Sequence, residues 1–228
     1  MLLRLTSLLS PDELTQARAL LDNDAPWIDG GASAGAQAQQ RKHNQQIASD
    51  SEHSRRLQSL VLAALQREPM FLSAALPKRI FPPRFNRYRA SGEHYGAHID
   101  NAILKAAEPG QWLRADLSCT VFLADAGSYD GGELVIHDRL GVQRIKLDAG
   151  DALLYPAGLL HEVLPVTRGE RLASFLWVES LVPQEAHRQI LFDLDMNLVA
   201  LRARHGESDE TVGLTGVYHN LLRQWATP

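Results

Sequence analysis

Between Pro77 and Pro183 the chain breaks into short runs of β-forming residues bounded by Gly, Pro and Asp, with no helical period between them. The pattern predicts strands near 79–81, 84–90, 94–100, 113–123, 132–137, 142–147, 151–155, 161–166 and 171–179. Short strands that follow one another without helices imply a sandwich or barrel, and a jelly roll is the version that suits a buried metal site. Segment 113–123 alternates: Leu113, Ala115, Leu117, Cys119, Val121 and Leu123 share one face, and mostly polar residues share the other.

Helical patterns flank this β region. Ser10-Pro11-Asp12-Glu13 has the form of a capped helix start, and the apolar spacing carries that helix to about Leu21. A second helix is predicted over 52–67 from Leu57, Leu60, Val61, Ala64 and Leu65. Residues 24–50 lose all periodicity and predict either a mobile surface loop or a substrate-facing flap. Residues 102–112, directly after His98-Ile99-Asp100, are expected between strands at the mouth of a site. After Pro183 the helical period returns. Ile190, Leu194, Leu198 and Leu201 form one stripe; Leu214, Val217, Tyr218, Leu221, Leu222 and Trp225 form a sharper one. The expected organisation is mainly β with flanking helices. Residues 1–76 form an N-terminal helical and loop region packed on the core, 77–182 the jelly-roll core, and 183–228 a C-terminal helical extension. That extension packs on the barrel or, in a second reading, forms a homodimer contact.

Charge and composition exclude several classes. A net charge of −4 provides no dominant basic patch for nucleic acid. The single cysteine, Cys119, rules out an intramolecular disulfide and fits a reducing compartment. Met1 to Leu9 lacks the apolar core and cleavage site of a signal peptide, and no run approaches the roughly 18 apolar residues of a membrane span. A cytoplasmic protein without a membrane partner is the expectation.

The chemistry concentrates at His98-Ile99-Asp100 and His161. An imidazole and a carboxylate two apart on extended chain point to one side. With a second histidine they make the two-His, one-carboxylate facial triad of non-haem Fe(II) oxygenases. Arg171, ten residues after His161, stands at the head of the apolar run Leu172-Ala173-Ser174-Phe175-Leu176-Trp177. A lone cation there needs an anion: a dicarboxylate co-substrate, or a protein carboxylate such as Asp116 or Glu133. His94 shares the face of His98 and is expected at the pocket rim or behind the ligands. Asn86, Arg87 and Asn101 are candidate substrate contacts, and Tyr88 sits on the strand entering the site. His43, His137 and His219 lack comparable context. Gly131-Gly132-Glu133-Leu134 predicts a turn whose glycines take positive φ.

Five stretches carry a family resemblance: Phe85-Asn86-Arg87-Tyr88, Tyr95 to Asn101, Tyr129 to Ile136, Leu154-Tyr155-Pro156 and Gly216 to Leu222. Together with His98, Asp100, His161 and Arg171, the chain resembles, nearly end to end, the bacterial PKHD-type hydroxylases. These are prolyl-4-hydroxylase-domain-like members of the Fe(II)/2-oxoglutarate dioxygenase superfamily associated with iron uptake. The resemblance implies a double-stranded β-helix, Fe(II) on His98, Asp100 and His161, 2-oxoglutarate on Arg171 and Tyr88, and ascorbate as reductant. Halogenating relatives replace the carboxylate ligand with a small residue, so Asp100 implies hydroxylation. Several relatives carry a second tyrosine on the long strand where this chain has Phe122, which leaves Thr120 or Tyr88 for the co-substrate's second contact. The implied substrate is a peptidyl proline, an amino acid or a siderophore-type small molecule. Competing readings are a cupin-like metal enzyme without 2-oxoglutarate and a non-catalytic iron or 2-oxoglutarate sensor.

Overall fold

The computed structural model describes residues 1–33, 40–105, 110–138 and 141–228. The N-terminal third supplies β1 (Leu3–Leu5), β2 (Trp27–Asp29), β3 (Lys42–His43) and β4 (Gln45–Ile47), with helices α1 (Pro11–Ala19), α2 (Glu52–Arg67) and α3 (Pro69–Ala75). The central region supplies β5 (Pro77–Ile80), β6 (Arg84–Arg89), β7 (His94–His98), β8 (Ile103–Lys105), β9 (Trp112–Arg114) and β10 (Leu117–Phe122). It continues through β11 (Asp130–Gly131), β12 (Leu134–Asp138), β13 (Gly141–Ile145), β14 (Ala152–Pro156), β15 (Leu160–Val163), β16 (Val166–Arg168) and β17 (Glu170–Ser180). Helices α4 (Glu185–His205) and α5 (Asp209–Trp225) close the chain.

Two antiparallel sheets face each other. The larger runs β1-β14-β10-β17-β6-β4-β2, with β5 also on β17; the smaller runs β13-β12-β15-β7-β3. Both faces of the larger sheet are covered. Leu117, Cys119 and Val121 of β10, with Leu176 and Val178 of β17, pack against Leu57 and Val61 of α2 and Phe71 of α3. On the opposite face Tyr88, Phe122, Leu153 and Tyr155 meet Leu134, Ile136 and Val163 of the smaller sheet. The alternation over 113–123 therefore separates two interiors: Ser118 and Thr120 are buried between the sheets, and every residue of β10 is buried. Burial of each large apolar side chain on the helical side contributes roughly 1.5–3 kcal/mol, so that face fixes the sheet and frees the other for polar groups.

Local signals account for the helices. Ser10 and Glu13 form the reciprocal capping box of α1, and Ser51 caps α2, which spans the predicted 52–67. Helix α3 carries no sequence period; Pro69 at its first turn and Glu68 accepting from Met70 N start it.

Three expectations are corrected. Residues 24–50 are not one loop: β2 and β4 extend the larger sheet and β3 edges the smaller one, while 34–39 lie outside the described residues. Such two- and three-residue strands are too short to show a period. Residues 103–105 and 112–114 pair as a hairpin instead of connecting strands, and 106–109 lie outside the described residues. In the C-terminal pair the predicted stripes shift. Leu191, Phe192 and Leu198 are the buried apolar residues of α4 and Ile190 is exposed; in α5, Tyr218, Leu221, Leu222 and Trp225 pack around Leu76, Val182 and Leu191, but Leu214 and Val217 are exposed. The tail is tied back by Thr227 N donating to Leu181 O (2.7 Å) and by Ser73 Oγ donating to Asp195 Oδ2 (2.5 Å).

Candidate active site

Strands β7 and β15 are neighbours, and their register sets His98 directly opposite His161. The ring centroids are 4.3 Å apart. β7 ends at His98, so Asp100 lies beyond the strand and pleat alternation does not aim it. A hydrogen bond does: Ser118 Oγ on β10 donates to Asp100 Oδ2 at 2.6 Å. The result is a cluster in which one ligand atom from each of His98, Asp100 and His161 lies within 4.8 Å of the others. His98 Nε2 is 3.9 Å from Asp100 Oδ1, and His161 Nε2 is 3.8 Å from Asp100 Oδ2.

The histidines are held in one tautomer. Nδ1 of His98 faces Gly96 O at 2.8 Å, and Nδ1 of His161 faces Leu159 O at 2.9 Å. A carbonyl can only accept, so each Nδ1 carries the proton and each Nε2 presents a lone pair to the cluster. Burial, reinforced by His161, pulls the His98 pKa down to about 4, so its ring is neutral at pH 7. The Tyr95 ring stacks on it at 3.6 Å.

Arg171 sits on β17, 1% exposed. Its guanidinium lies 5.4 Å from the Tyr88 ring and 5.5 Å from the Phe122 ring. Phe122, unable to donate a hydrogen bond, thus flanks the cation. Gly132, at φ +66°, completes the fit: a Cβ there would lie 3.1 Å from Arg171 Cδ and 3.0 Å from the Tyr129 ring. Neither carboxylate considered from the sequence pairs with Arg171. Asp116 is taken by Arg114 (2.6 Å) and by Ser180 N (2.9 Å), and Glu133 forms no ion pair with Arg171 among the described residues. Arg171 Nε and Nη1 are buried without a hydrogen-bond partner among the described residues. The Tyr129 phenol interacts with the guanidinium but brings no negative charge; a buried cation with Nε and Nη1 left over is costly, and a ligand carboxylate is the group that completes it.

Triad and guanidinium line one cavity of about 750 Å³ between the sheets. Tyr88, Asn86 and Asn101 line it too, as do Leu104 and Lys105 of the hairpin. His94 does not: it pairs with His43 across β3 and β7, the rings 5.0 Å apart. Arg87 is also outside, bonded to Gln45 and stacked over Trp27. Sequence reasoning passed over Ser118 and Tyr155 as site residues. Tyr155 meets His161 edge-on at 5.4 Å, and burial raises its pKa beyond the ordinary phenol range. Burial also raises the Tyr88 pKa, to about 12, so both phenols stay protonated donors. The usable signal was the polar face of β10, which places Ser118 and Thr120 toward whatever β7 and β15 carry.

Residues 83–179 match the 2OG-Fe(II) oxygenase superfamily, and 185–227 match the PKHD-type hydroxylase C-terminal domain. A PKHD-type hydroxylase of Verminephrobacter eiseniae (strain EF01-2) is 58% identical over 226 residues, 99% of each chain. The chain belongs to the PKHD-type hydroxylase family. Solved structures share its fold at low identity. A Pseudomonas putida prolyl-4-hydroxylase is 20% identical with a TM-score of 0.52, covering 78% of this chain and 92% of its own. A Trichoplax adhaerens prolyl hydroxylase, solved with a hypoxia inducible factor peptide fragment, is 18% identical with a TM-score of 0.55, covering 83% and 86%. Membership of the PKHD-type hydroxylases makes this a 2-oxoglutarate-dependent hydroxylase, and the superfamily implies Fe(II) alongside that co-substrate. The donor set fits: two imidazoles and one carboxylate, with a buried guanidinium in the same cavity that has no ion-pair partner among the described residues.

Proposed function

We propose that this hydroxylase holds Fe(II) on His98, Asp100 and His161 and 2-oxoglutarate on Arg171, and hydroxylates a C–H bond of a peptidyl proline, an amino acid or a siderophore-type small molecule. The bound pair would supply O₂-dependent oxidation, coupling conversion of 2-oxoglutarate to succinate and CO₂ with insertion of one oxygen atom into substrate. The chain's own residues set the stage for it. Gly96 O and Leu159 O hold the imidazole protons on the far nitrogens, and Ser118 turns Asp100 inward. Arg171 orients the co-substrate through a charge-assisted fork, and the protonated phenol of Tyr88 is placed to donate beside it. The hydroxyls of Thr120 and Tyr155 lie on the same wall and serve as the second donor that Phe122 cannot be. Ascorbate sustains repeated turnover in this reading.

The observation that supports the proposal is the buried Arg171 guanidinium in the cavity of the triad, with Nε and Nη1 unpartnered and no carboxylate beside it among the described residues. A metal enzyme that made no use of a dicarboxylate would gain nothing from leaving it so. The test measures Fe(II) stoichiometry and substrate-independent succinate release in the wild type and in a His98→Ala/His161→Ala double variant. Loss of both in the double variant is expected; full iron occupancy there, or wild-type protein that binds 2-oxoglutarate yet never releases succinate under O₂, would overturn the reading.

A further inference from the structure

The cavity is cationic in a chain that is net acidic. Among the described residues lining it, Arg41, Lys42, Arg84, Lys105 and Arg171 are positive and Asp100 is the one carboxylate, whereas the whole chain carries −4. The proposed function uses Asp100 and Arg171 and leaves the rest unexplained. Arg41 and Lys105 are exposed at the mouth, but Lys42 is only 6% exposed and Arg84 is half-buried.

These two inner cations converge. Lys42, on β3, pairs in register with Tyr95, whose ring stacks on His98. Its Nζ lies 5.1 Å from the Tyr95 ring centroid and 5.8 Å from that of Phe175. Arg84, on β6, sits opposite Phe175 on β17 and holds its guanidinium 5.4 Å from the Phe81 ring. Arg84 makes no ion pair among the described residues, and burial alone lowers its pKa. The aromatic face beside Arg84 softens the desolvation of its guanidinium without neutralising it. The positive charge of Arg84 also acts against that of Lys42, and Lys42 in turn is close enough to influence His98 electrostatically. Around the pair, Phe81, Phe175 and Trp177 meet edge-to-face at 5.5 Å. Two polar atoms without a hydrogen-bond partner among the described residues belong to the same lining: the buried indole N–H of Trp177 and Asn86 Oδ1.

The Arg84 guanidinium without a counter-ion among the described residues, the Lys42 ammonium on the same cavity wall, an aromatic floor, and a donor and an acceptor unpartnered among those residues make a site for a compact anion. We propose that Arg84 and Lys42 bind a carboxylate of the primary substrate, which makes that substrate a small carboxylic acid rather than a prolyl residue within a neutral peptide. This rests on the reading above, since it takes Arg171 to be occupied by 2-oxoglutarate. The position fits the chemistry. A carboxylate anchored beside Tyr95 and Phe175 would lie in the same cavity as His98 and Asp100, one aromatic ring away from His98.

The test is calorimetric and needs no turnover. Protein loaded with Mn(II) and saturated with 2-oxoglutarate is titrated with benzoate, phenylacetate and N-acetylproline, and with the primary amide of each; N-acetylprolinamide stands in for a neutral prolyl peptide. The expected result is at least tenfold tighter binding of one or more acids than of the matching amide. That preference falls about 10- to 100-fold in Arg84→Gln and in Lys42→Gln, as loss of a charge-assisted contact requires. No acid-over-amide preference, or one that survives both substitutions, overturns the proposal. The affinity for 2-oxoglutarate is read separately in each variant. A collapse there in Arg84→Gln matching that in Arg171→Leu would give Arg84 to the co-substrate and also overturn it. A wild-type protein that takes up no 2-oxoglutarate would instead defeat the co-substrate reading, with the acid-over-amide comparison still scored by itself.

Discussion

Ser118 Oγ donates to Asp100 Oδ2 at 2.6 Å, a link from the larger sheet to a residue just past the end of a strand of the smaller one. Because β7 stops at His98, this bond is what aims the carboxylate. Ser118→Ala should leave the fold intact and weaken Mn(II) or Fe(II) binding about 10- to 100-fold, the usual loss when a ligand's supporting hydrogen bond is removed. Metal titration with a parallel melting curve checks this, and an unchanged affinity would mean that Asp100 is held by something else.

Arg171→Leu should keep the fold and metal binding near normal while raising the apparent KM for 2-oxoglutarate. Loss of a charge-assisted bidentate contact is worth about 2–4 kcal/mol, or roughly 30- to 1000-fold. Arg171→Lys should recover part of this, since an ammonium cannot match a planar fork. The free Nε and Nη1 make a purely structural role testable as well. Such a role predicts a lower Tm in Arg171→Leu whether or not 2-oxoglutarate is present. An unaltered 2-oxoglutarate dependence would sink the assignment.

Lys42 provides a pH signature. Burial, with the charge of Arg84 acting the same way and Asp100 and Asp29 opposing, lowers its pKa from 10.5 to about 8. Between pH 8 and 10.5 the unfolded lysine keeps a proton that the folded one has lost, so the stability contributed by this group rises with pH through that window. Below about pH 8 the penalty is full. Lys42→Met should therefore raise Tm at pH 7, by the equivalent of at most about 3 kcal/mol, with the gap closing as pH climbs from 8 to 10.5. A destabilised Lys42→Met protein at pH 7, or a gap that ignores pH, contradicts this account.

Truncation before Pro183 removes the partners of Leu76 and Val182, namely Leu191, Tyr218, Leu221, Leu222 and Trp225, and strips Phe192 from the main core. Each large side chain so uncovered is worth roughly 1.5–3 kcal/mol, so several kcal/mol should be lost and aggregation should follow. Leu214 and Val217 contribute little, being exposed in the intact chain. Sedimentation and melting of residues 1–182 decide the matter; a soluble fragment with an unshifted Tm would make the tail a separate module.

Legibility from sequence followed the length of each signal. Helix α2 has five apolar residues at helical spacing and a serine cap, and its predicted and observed spans coincide. β17 is eleven residues long, enough for pleat alternation to set Arg171, Phe175 and Trp177 on one face. β3 has two residues and β2 three; no period exists at that length, so the strand that carries Lys42 was unreadable. The same limit hid the pairing of His94 with His43, a contact between segments whose adjacency is set by tertiary folding alone. Ser118 was visible as a polar position but not as a support for Asp100, since only the stacking of the two sheets brings them together.

The opposition of His98 and His161 across β7 and β15 gives the proposed metal a mechanical role. Among the described residues β7 has on its outer side only the two-residue β3, and its pairing with β15 shifts register between His161 and Val163. It is therefore a weakly tethered strand near the rim of its sheet. A cation gripped by one side chain from each strand acts as a rivet, closing a long chain loop that two short strands otherwise close by backbone bonds alone. Amide hydrogens of β7 and β15 should then exchange with deuterium more slowly once metal is added, while those of the fully buried strands β10 and β14 stay as they were. The metal that prepares the site for oxygen would also be the fastener that keeps its doorway strand in line.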